Sequence, residues 1–293
     1  DAGSVAHLPR TARSARVGAL PSLHLPALKT STVLASLALA GALAPSACAS
    51  APASQPAGDD GLVLVAGASG RAGRYVVQRL REQVIPFRAM TRSRADAEQR
   101  LGADFAGVDW VECDVRDPAQ VAAAMRGVRY VISVIGANQV GGDNSAEFVD
   151  YGGVKNLVDA AVREKVDRFV LLTAIGVTDP AHPFNKVTKG ALGWRFKGEE
   201  YLRASGVAYT IVRPGGLVNE PAGQKGLRLE QGDNWRPLLR STLSRDDLAL
   251  VLIESLRQPG ARNATFELVN DPALPTGAWR DRFSTLEPDP PRP

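Results

Sequence analysis

The stretch Val63–Gly73, VLVAGASGRAG, decides the fold of this chain. An apolar run typical of a buried strand ends at Gly67, and Gly70 and Gly73 then open a helical pattern. Glycine at these positions permits a tight turn, a close approach of the backbone to a pyrophosphate, and packing of the helix on the strand. Backbone N–H groups at the helix start then face phosphate oxygens. The stretch predicts a phosphate-binding loop, and a glycine-rich turn without a ligand is the alternative.

Outward from this loop, short apolar runs alternate with helical patterns as far as residue 271. The apolar runs are residues 62–67, 86–92, 110–115, 128–136, 168–176, 208–216 and 264–271. Continuous apolar strands separated by helices indicate a parallel sheet with helices on both faces. We therefore expect an α/β fold, a doubly wound parallel sheet of Rossmann type with a small C-terminal cap. The expected domain spans residues 60–275, with cap elements at about 216–243, and residues 276–293 are expected to form a Pro-rich tail.

The end of the second strand indicates which dinucleotide the loop would hold. A site for NAD places an acidic residue there to bind the ribose 2′-hydroxyl, but the sequence has Arg92 and Arg94 and no acid. Guanidinium groups suit a 2′-phosphate, and Arg71 adds a cation within the loop. The pattern favours NADP(H), and solvated arginines on a turn are the alternative.

The other candidate cofactor-binding residues follow from their places in the pattern. Asp114 and Val115 follow the third strand, on the side expected to meet the adenine, and the residues after the fourth strand would line the crevice at the switch point of the sheet. The predicted cofactor-binding residues are Gly67, Ser69, Gly70, Arg71, Ala72, Gly73, Arg92, Arg94, Asp114, Val115, Ile135, Gly136, Ala137, Thr173, Lys197, Pro214 and Gly215.

The first 59 residues differ in composition from the rest of the chain. Within residues 1–58, four basic residues (Arg10, Arg13, Arg16 and Lys29) stand against the single acid Asp1, and an apolar run at 33–44 precedes the small residues Ala47-Cys48-Ala49. The layout is typical of a targeting segment that is cleaved near residue 49, followed by a linker. We expect a bipartite plastid targeting sequence, with bacterial-type export, a membrane anchor through residues 30–49 or a plain tail as alternatives, since a membrane span needs about 20 apolar residues.

Composition argues against several functional classes. The net charge is +4 with a pI of about 9.2, and most of the excess lies in the N-terminal segment, so nucleic-acid binding is not expected. Two cysteines and three histidines are scattered without ligand spacing, so neither a metal site nor a disulfide framework is expected.

The chain resembles the atypical short-chain dehydrogenase/reductases, in their NmrA-like branch that includes plastid assembly factors. The matching motifs lie between about residues 61 and 271: VLVAGASGRAG (63–73), FRAMTRS (87–93), CDVRDP (113–118), VDYGGVKNLVDAA (149–161), RFVLLTAIGVTDP (168–180), EEYLRASGVAYTIVRPGGL (199–217), LSRDDLALVLIESL (243–256) and TFELVN (265–270). The resemblance implies NADP(H) binding but fixes no substrate.

The resemblance also implies catalytic residues. Thr173 stands where the family holds the substrate carbonyl, and Lys197 stands where a lysine holds the nicotinamide ribose. The tyrosine expected four residues before that lysine is replaced by Gly193. Tyr151 and Lys155 have the motif spacing but lie in the wrong helix, so we interpret them as coincidental; Tyr201 and Tyr209 are the other tyrosines considered.

Two functions therefore remain open. One is an NADPH-dependent reductase of a small carbonyl or quinone-like substrate with an unusual proton donor. The other is a non-catalytic NADPH-binding scaffold or assembly factor whose partner is a protein complex or a membrane.

Overall fold

The central sheet grows in two directions from the strand that precedes the glycine-rich loop. The computed structural model describes residues 61–234, 236 and 241–291. Their strands are β1 (Val63–Ala66), β2 (Phe87–Thr91), β3 (Trp110–Glu112), β4 (Tyr130–Ser133), β5 (Arg168–Leu172), β6 (Tyr209–Pro214), β7 (Gly216–Val218), β8 (Gly226–Glu230), β9 (Thr242–Ser244) and β10 (Ala264–Asp271). Eight of them form one sheet in the order β3-β2-β1-β4-β5-β6-β10-β8, and β7 pairs with β9.

The pairing is parallel throughout the large sheet except at one edge. Only β8 runs antiparallel to its neighbour β10. The chain order reverses at β1, which pairs with β2 on one side and β4 on the other. In open sheets of this kind, ligands bind outside the carboxyl ends of the strands at such a switch point. The predicted doubly wound, Rossmann-type fold is confirmed.

Helices cover both faces of the sheet. They are α1 (Gly73–Glu82), α2 (Arg94–Leu101), α3 (Pro118–Met125), α4 (Val154–Glu164), α5 (Pro183–Thr188), α6 (Ala191–Ala204), α7 (Arg245–Ser255) and α8 (Trp279–Arg282). One face buries apolar residues of α1 and α7, and the other buries those of α3, α4 and α6. A π-helical segment, Glu147–Gly153, leads directly into α4.

The local sequence explains where several helices begin. The Asp117 carboxylate accepts N–H bonds from Ala119 and Gln120, with Pro118 in the first helical turn of α3. Ser93 and Ser244 cap α2 and α7 in the same way. Such caps satisfy N–H groups that have no partner inside the helix.

The segment expected to form a Pro-rich tail packs against the body of the fold. Trp279 is 4% exposed and Phe283 is fully buried. The Phe283 ring meets Phe266 of β10 edge-on at 5.9 Å between centroids. The Asp289 carboxylate accepts hydrogen bonds from Arg203 and Tyr209.

The targeting expectation for residues 1–59 and the expected anchor at 30–49 lie outside the described residues, as do Trp235 and residues 237–240 of the expected cap. Within the described part of the chain, the helices are too short or too polar to cross a membrane.

Candidate functional site

The glycine-rich loop is built by close backbone contacts that exclude side chains. A β-carbon at Gly73 would stand 2.1 Å from the Gly67 carbonyl oxygen, so this glycine lets α1 pack on the loop. Gly67 has a φ of +84°, and a β-carbon there would stand 3.1 Å from backbone atoms of Val134 and Ile135. The loop therefore lies against the end of β4, at the switch point.

The start of α1 fits a phosphate group. It has no side-chain cap and no acidic residue in its first turn, and the N–H groups of Arg74 and Tyr75 already donate to the Gly70 and Ala72 carbonyls. Gly70 is half-buried and Arg71 is exposed. An anion is stabilised at such a helix start by the N–H groups and the helix dipole. The loop thus matches the geometry expected for a dinucleotide.

The two arginines after β2 have different surroundings. Arg92 is exposed and donates from Nη1 to Asn144 Oδ1 at 2.9 Å. Arg94 instead turns back along α2, where its Nε donates to Glu98 at 2.8 Å. The Ser69 and Thr91 hydroxyls hydrogen-bond each other at 2.9 Å, which joins the loop to the end of β2. Arg92 is therefore the better placed of the two to meet a phosphate at this edge.

The segment after β3 forms a wall next to the start of α4. Asp114 forms an ion pair with Arg116, which lowers the pKa of the Asp114 carboxyl. Asn156 donates to the Val115 carbonyl at 2.9 Å. A β-carbon at Gly153 would stand 2.7 Å from the Val115 side chain and 3.2 Å from Ile135. Val115 and Ile135, both predicted cofactor residues, are thus brought together.

A cavity of about 560 Å³ opens at the carboxyl ends of β5 and β6. Its wall is mostly apolar, and α5 contributes Phe184 and Val187, which are 46% and 74% exposed. Among the described residues, the lining consists of Thr173, Ala174, Ile175, His182, Pro183, Phe184, Val187, Leu192, Arg195, Pro214, Gly215, Gly216 and Leu217. Thr173, Pro214 and Gly215 are the predicted site residues among them. A cavity of this size can enclose a small aromatic molecule.

The role expected for Thr173 does not fit its hydrogen bonding. Its hydroxyl donates to Glu199 Oε1 at 2.6 Å, and Glu199 is fully buried. Glu199 also accepts from Arg213 and Arg203, so it is the acceptor and Thr173 supplies the proton. A hydroxyl has one proton to donate. Thr173 therefore has none left for a substrate carbonyl.

Lys197 is also not where the resemblance put it. Its exposed ammonium lies 3.9 Å from the centre of the Trp194 ring. Leu192 and Arg195 line the cavity from the same helix, and residues two apart on a helix point about 200° away from each other. Lys197 thus faces away from the cavity, whereas Arg195 of the same helix lines it.

None of the tyrosines near α6 stands ready as a proton donor in the cavity. The Tyr201 hydroxyl donates to Asp159 at 2.5 Å, and this bond raises the pKa of Tyr201. Burial raises the pKa of Tyr209, whose hydroxyl donates to Asp289. Tyr151 packs its ring against Trp194 with centroids 5.9 Å apart.

Lys155 and Gly193, the other two positions considered for the catalytic motif, do not place a catalytic group in the cavity either. Lys155 forms an ion pair with Asp159 at 2.7 Å. Gly193 is exposed, and a β-carbon there would meet nothing within 4 Å. The space for a motif tyrosine at residue 193 is therefore solvent and not the cavity.

Two residues of the site were missed by sequence reasoning. Asp150 accepts from the Ala137 N–H at 2.9 Å and from Arg195 Nε at 2.8 Å. It thereby joins the loop after β4 to α6. The sequence signal that could have identified Arg195 was helical spacing. Arg195 lies three residues after the apolar Leu192 and so shares its face of the helix.

A buried ionic network supports the floor of the cavity. Arg213 donates to Glu199 at 2.6 Å and to Glu267 at 3.2 Å. Asp233 accepts from the N–H groups of Gly176 at 2.6 Å and Thr178 at 2.9 Å. The network fixes the loop that follows β5, which carries part of the cavity lining.

Comparison with known proteins identifies the family. Residues 67–259 match the family described as NAD(P)H-binding. The chain is 31% identical over 247 residues to an uncharacterized chloroplastic protein of Arabidopsis thaliana, covering 76% of this chain and 75% of that protein. It is 30% identical over 249 residues to sanguinarine reductase of Eschscholzia californica, covering 72% and 89%.

A solved structure shares the fold. A short-chain dehydrogenase/reductase from Veillonella parvula in complex with NADP superposes with a TM-score of 0.57 at 16% identity, covering 72% of this chain and 94% of that one. The chain belongs to the family described as NAD(P)H-binding.

Proposed function

We propose that this protein is an NADPH-dependent reductase of an apolar quinone or carbonyl compound. The observation that carries the proposal is the 560 Å³ apolar cavity, because it opens at the carboxyl ends of β5 and β6 beside the predicted dinucleotide crevice. Thr173, Pro214 and Gly215 of its lining are also predicted cofactor residues, so the cavity adjoins the end of the crevice where the nicotinamide would lie. The relationship to sanguinarine reductase supports a reductase.

The residues that would hold the cofactor fit it chemically. Gly70 leaves space for the pyrophosphate in the loop that the close backbone contacts of Gly67 and Gly73 shape, and Arg92 offers a cation for the 2′-phosphate. Once bound, the cofactor supplies a hydride from its nicotinamide ring. Val115 and Ile135 form an apolar wall for the adenosine half, and the loop at Gly136 and Ala137 borders the crevice. NADP(H) rather than NAD(H) is part of the proposal.

The lack of a ready tyrosine favours substrates that need no protein acid. A quinone that accepts a hydride becomes a hydroquinone monoanion, whose charge is delocalised over the ring, and it then takes one proton from water. Simple aldehydes give a basic alkoxide and gain about 10²–10⁴-fold from general acid catalysis. We therefore expect quinones to be reduced faster than aldehydes.

The test is NADPH oxidation by the full chain with 1,4-naphthoquinone and with benzaldehyde. Ala174→Phe, which places a ring in the cavity, should abolish quinone turnover and preserve NADPH binding. Gly193→Tyr adds similar bulk on the exposed side of α6 and should leave turnover unchanged. If the wild type binds NADPH yet turns over neither compound, the reductase proposal fails and the scaffold becomes the better account.

We also place the protein in a plastid. The composition of residues 1–59 and the chloroplastic relative from Arabidopsis thaliana support this location. A fluorescent fusion of the complete chain should co-localise with chlorophyll, and a signal confined to the cytosol would contradict the proposal.

A further inference from the structure

Arg195 is the charged side chain among the described residues that line the cavity. His182 accepts the Phe184 N–H through Nδ1, so its ring carries one proton on the other nitrogen and is neutral. The rest of the wall is hydrocarbon, backbone or the Thr173 hydroxyl. Among the described lining residues, Arg195 is therefore the cationic position in an otherwise neutral wall.

The guanidinium of Arg195 is held by a hydrogen bond through its Nε atom. Its Nε donates to Asp150 Oδ1 at 2.8 Å, and the Asp150 side chain is 3% exposed. The other Asp150 oxygen accepts from Ala137 N–H. In the described part of the chain, Arg195 makes hydrogen bonds through Nε alone, and a guanidinium has four further N–H donors on its two Nη atoms.

These donors lie where a ligand in the cavity meets the loop after β4. A β-carbon at Gly136 would stand 3.8 Å from Arg195 Nη2, so the guanidinium borders this loop. The side chain of Arg195 is 25% exposed and lines the cavity. Planar paired donors of this kind match a carboxylate.

We propose that Arg195 binds an anionic group of the substrate, so that the reductase prefers flat aromatic quinones or carbonyl compounds that also carry a carboxylate. The apolar wall and the exposed Phe184 ring take the aromatic body, and the Nη groups take the carboxylate. The inference rests on the proposed function, since it names the substrate class of the same cavity. It assigns Arg195 as a substrate-binding residue.

The test compares two ligands that differ only in charge at one position. 2-Naphthoate and 2-naphthamide are titrated by calorimetry into the full chain, with and without saturating NADP⁺. Naphthoate should bind at least about tenfold more tightly, which corresponds to about 1.4 kcal/mol for a charge-assisted contact. Equal affinities, or the absence of binding by both ligands, would overturn the inference.

Three variants separate Arg195 from other causes. Arg195→Met should reduce the affinity ratio to about one, and Arg195→Lys should keep part of the preference because it keeps the charge. Lys197→Met removes a cation from the opposite side of α6 and should keep the whole preference. If Arg195→Met weakens NADP⁺ binding and leaves the ligand ratio unchanged, Arg195 serves the cofactor and the inference is wrong.

The proposed function can fail separately. Its failure appears as NADPH binding without quinone turnover, whereas failure of this inference appears as a missing charge preference in a protein that still binds NADP⁺. A protein that reduces 1,4-naphthoquinone and 2-carboxy-1,4-naphthoquinone with equal KM would also overturn the assignment of Arg195.

Discussion

Arg92 and Arg94 lie two residues apart but make different contacts. Both follow β2, and both were expected to contact a 2′-phosphate. Ser93 caps α2 between them, so Arg94 becomes the first residue of the helix and pairs with Glu98 one turn later. Arg92 remains outside the helix, where its contact is with Asn144.

We therefore expect Arg92→Ala to remove the preference for NADPH over NADH, while Arg94→Ala has a small effect. The wild type should bind NADPH at least about tenfold more tightly, because one charge-assisted hydrogen bond contributes about 1.5–3 kcal/mol. Fluorescence titration with both cofactors measures the ratio. A larger loss in Arg94→Ala than in Arg92→Ala would reverse this assignment.

Lys197 shows the limit of a motif at the scale of single residues. The motif matched a lysine in the right helix, but one helical step displaces a side chain by about 100°. Residue spacing along the sequence does not show which side chains of the helix face the cavity. Burial does show it, because Leu192 and Glu199 are buried on the face that Arg195 shares. The phosphate loop was easier to predict, because its close backbone contacts require glycine, and the glycines are visible in the sequence.

Among the elements, β10 carries a carboxylate into the interior. Glu267 is 1% exposed, and burial raises its pKa to about 7 from an ordinary 4.5, although Arg213 opposes the rise. The folded protein thus holds this proton more tightly than the unfolded chain does. The stabilisation is fully present below pH 4.5 and is lost as the pH rises through about 7.

Replacement of this carboxyl should accordingly change stability only at higher pH. We expect Glu267→Gln to raise the free energy of unfolding by about 1–3 kcal/mol at pH 8 and to leave it nearly unchanged at pH 5, since the amide stays neutral. Urea unfolding at both values measures the difference. Glu98→Gln on the surface is the control, and an equal effect of Glu267→Gln at the two pH values would contradict the assigned cause.

The long strands and helices could be predicted because their apolar residues are continuous or periodic. The elements around the cavity could not be predicted from the sequence. The strands β7 and β9 have three residues each and α5 has six, which is too few to show a helical or strand periodicity. The helix that leads into α4 begins at residue 147, and its first part, Glu147–Gly153, is π-helical. That change of winding depends on packing, for which the sequence pattern holds no signal.

At the scale of the whole molecule, the last residues belong to the fold. Proline content suggested a tail, but Trp279 and Phe283 are four residues apart, and both are buried against β10 and its neighbours. Asp289 then supplies the hydrogen-bond acceptor for Arg203 of α6 and Tyr209 of β6. The spacing of the two aromatic residues was the signal to weigh against composition.

We expect Phe283→Ala to lower the free energy of unfolding by about 3–5 kcal/mol, the usual range for a buried phenylalanine. Phe148→Ala is the matched control, because Phe148 is 47% exposed and surface substitutions usually stay within about 0.5 kcal/mol. Denaturant unfolding followed by circular dichroism gives both values. A loss below about 1 kcal/mol for Phe283→Ala would mean that the segment is not part of the cooperative unit.

The order of the sheet also determines how copies of the molecule meet. An exposed strand edge is a template for adding a strand from another chain, and long flat edges promote aggregation. At one end stands β3, which has only three residues. At the other stands β8, whose central Arg228 is engaged by Glu230 and Asp271. Both edge strands are thus poor templates for the addition of a strand from another copy. We therefore expect the protein to resist fibril formation at high concentration.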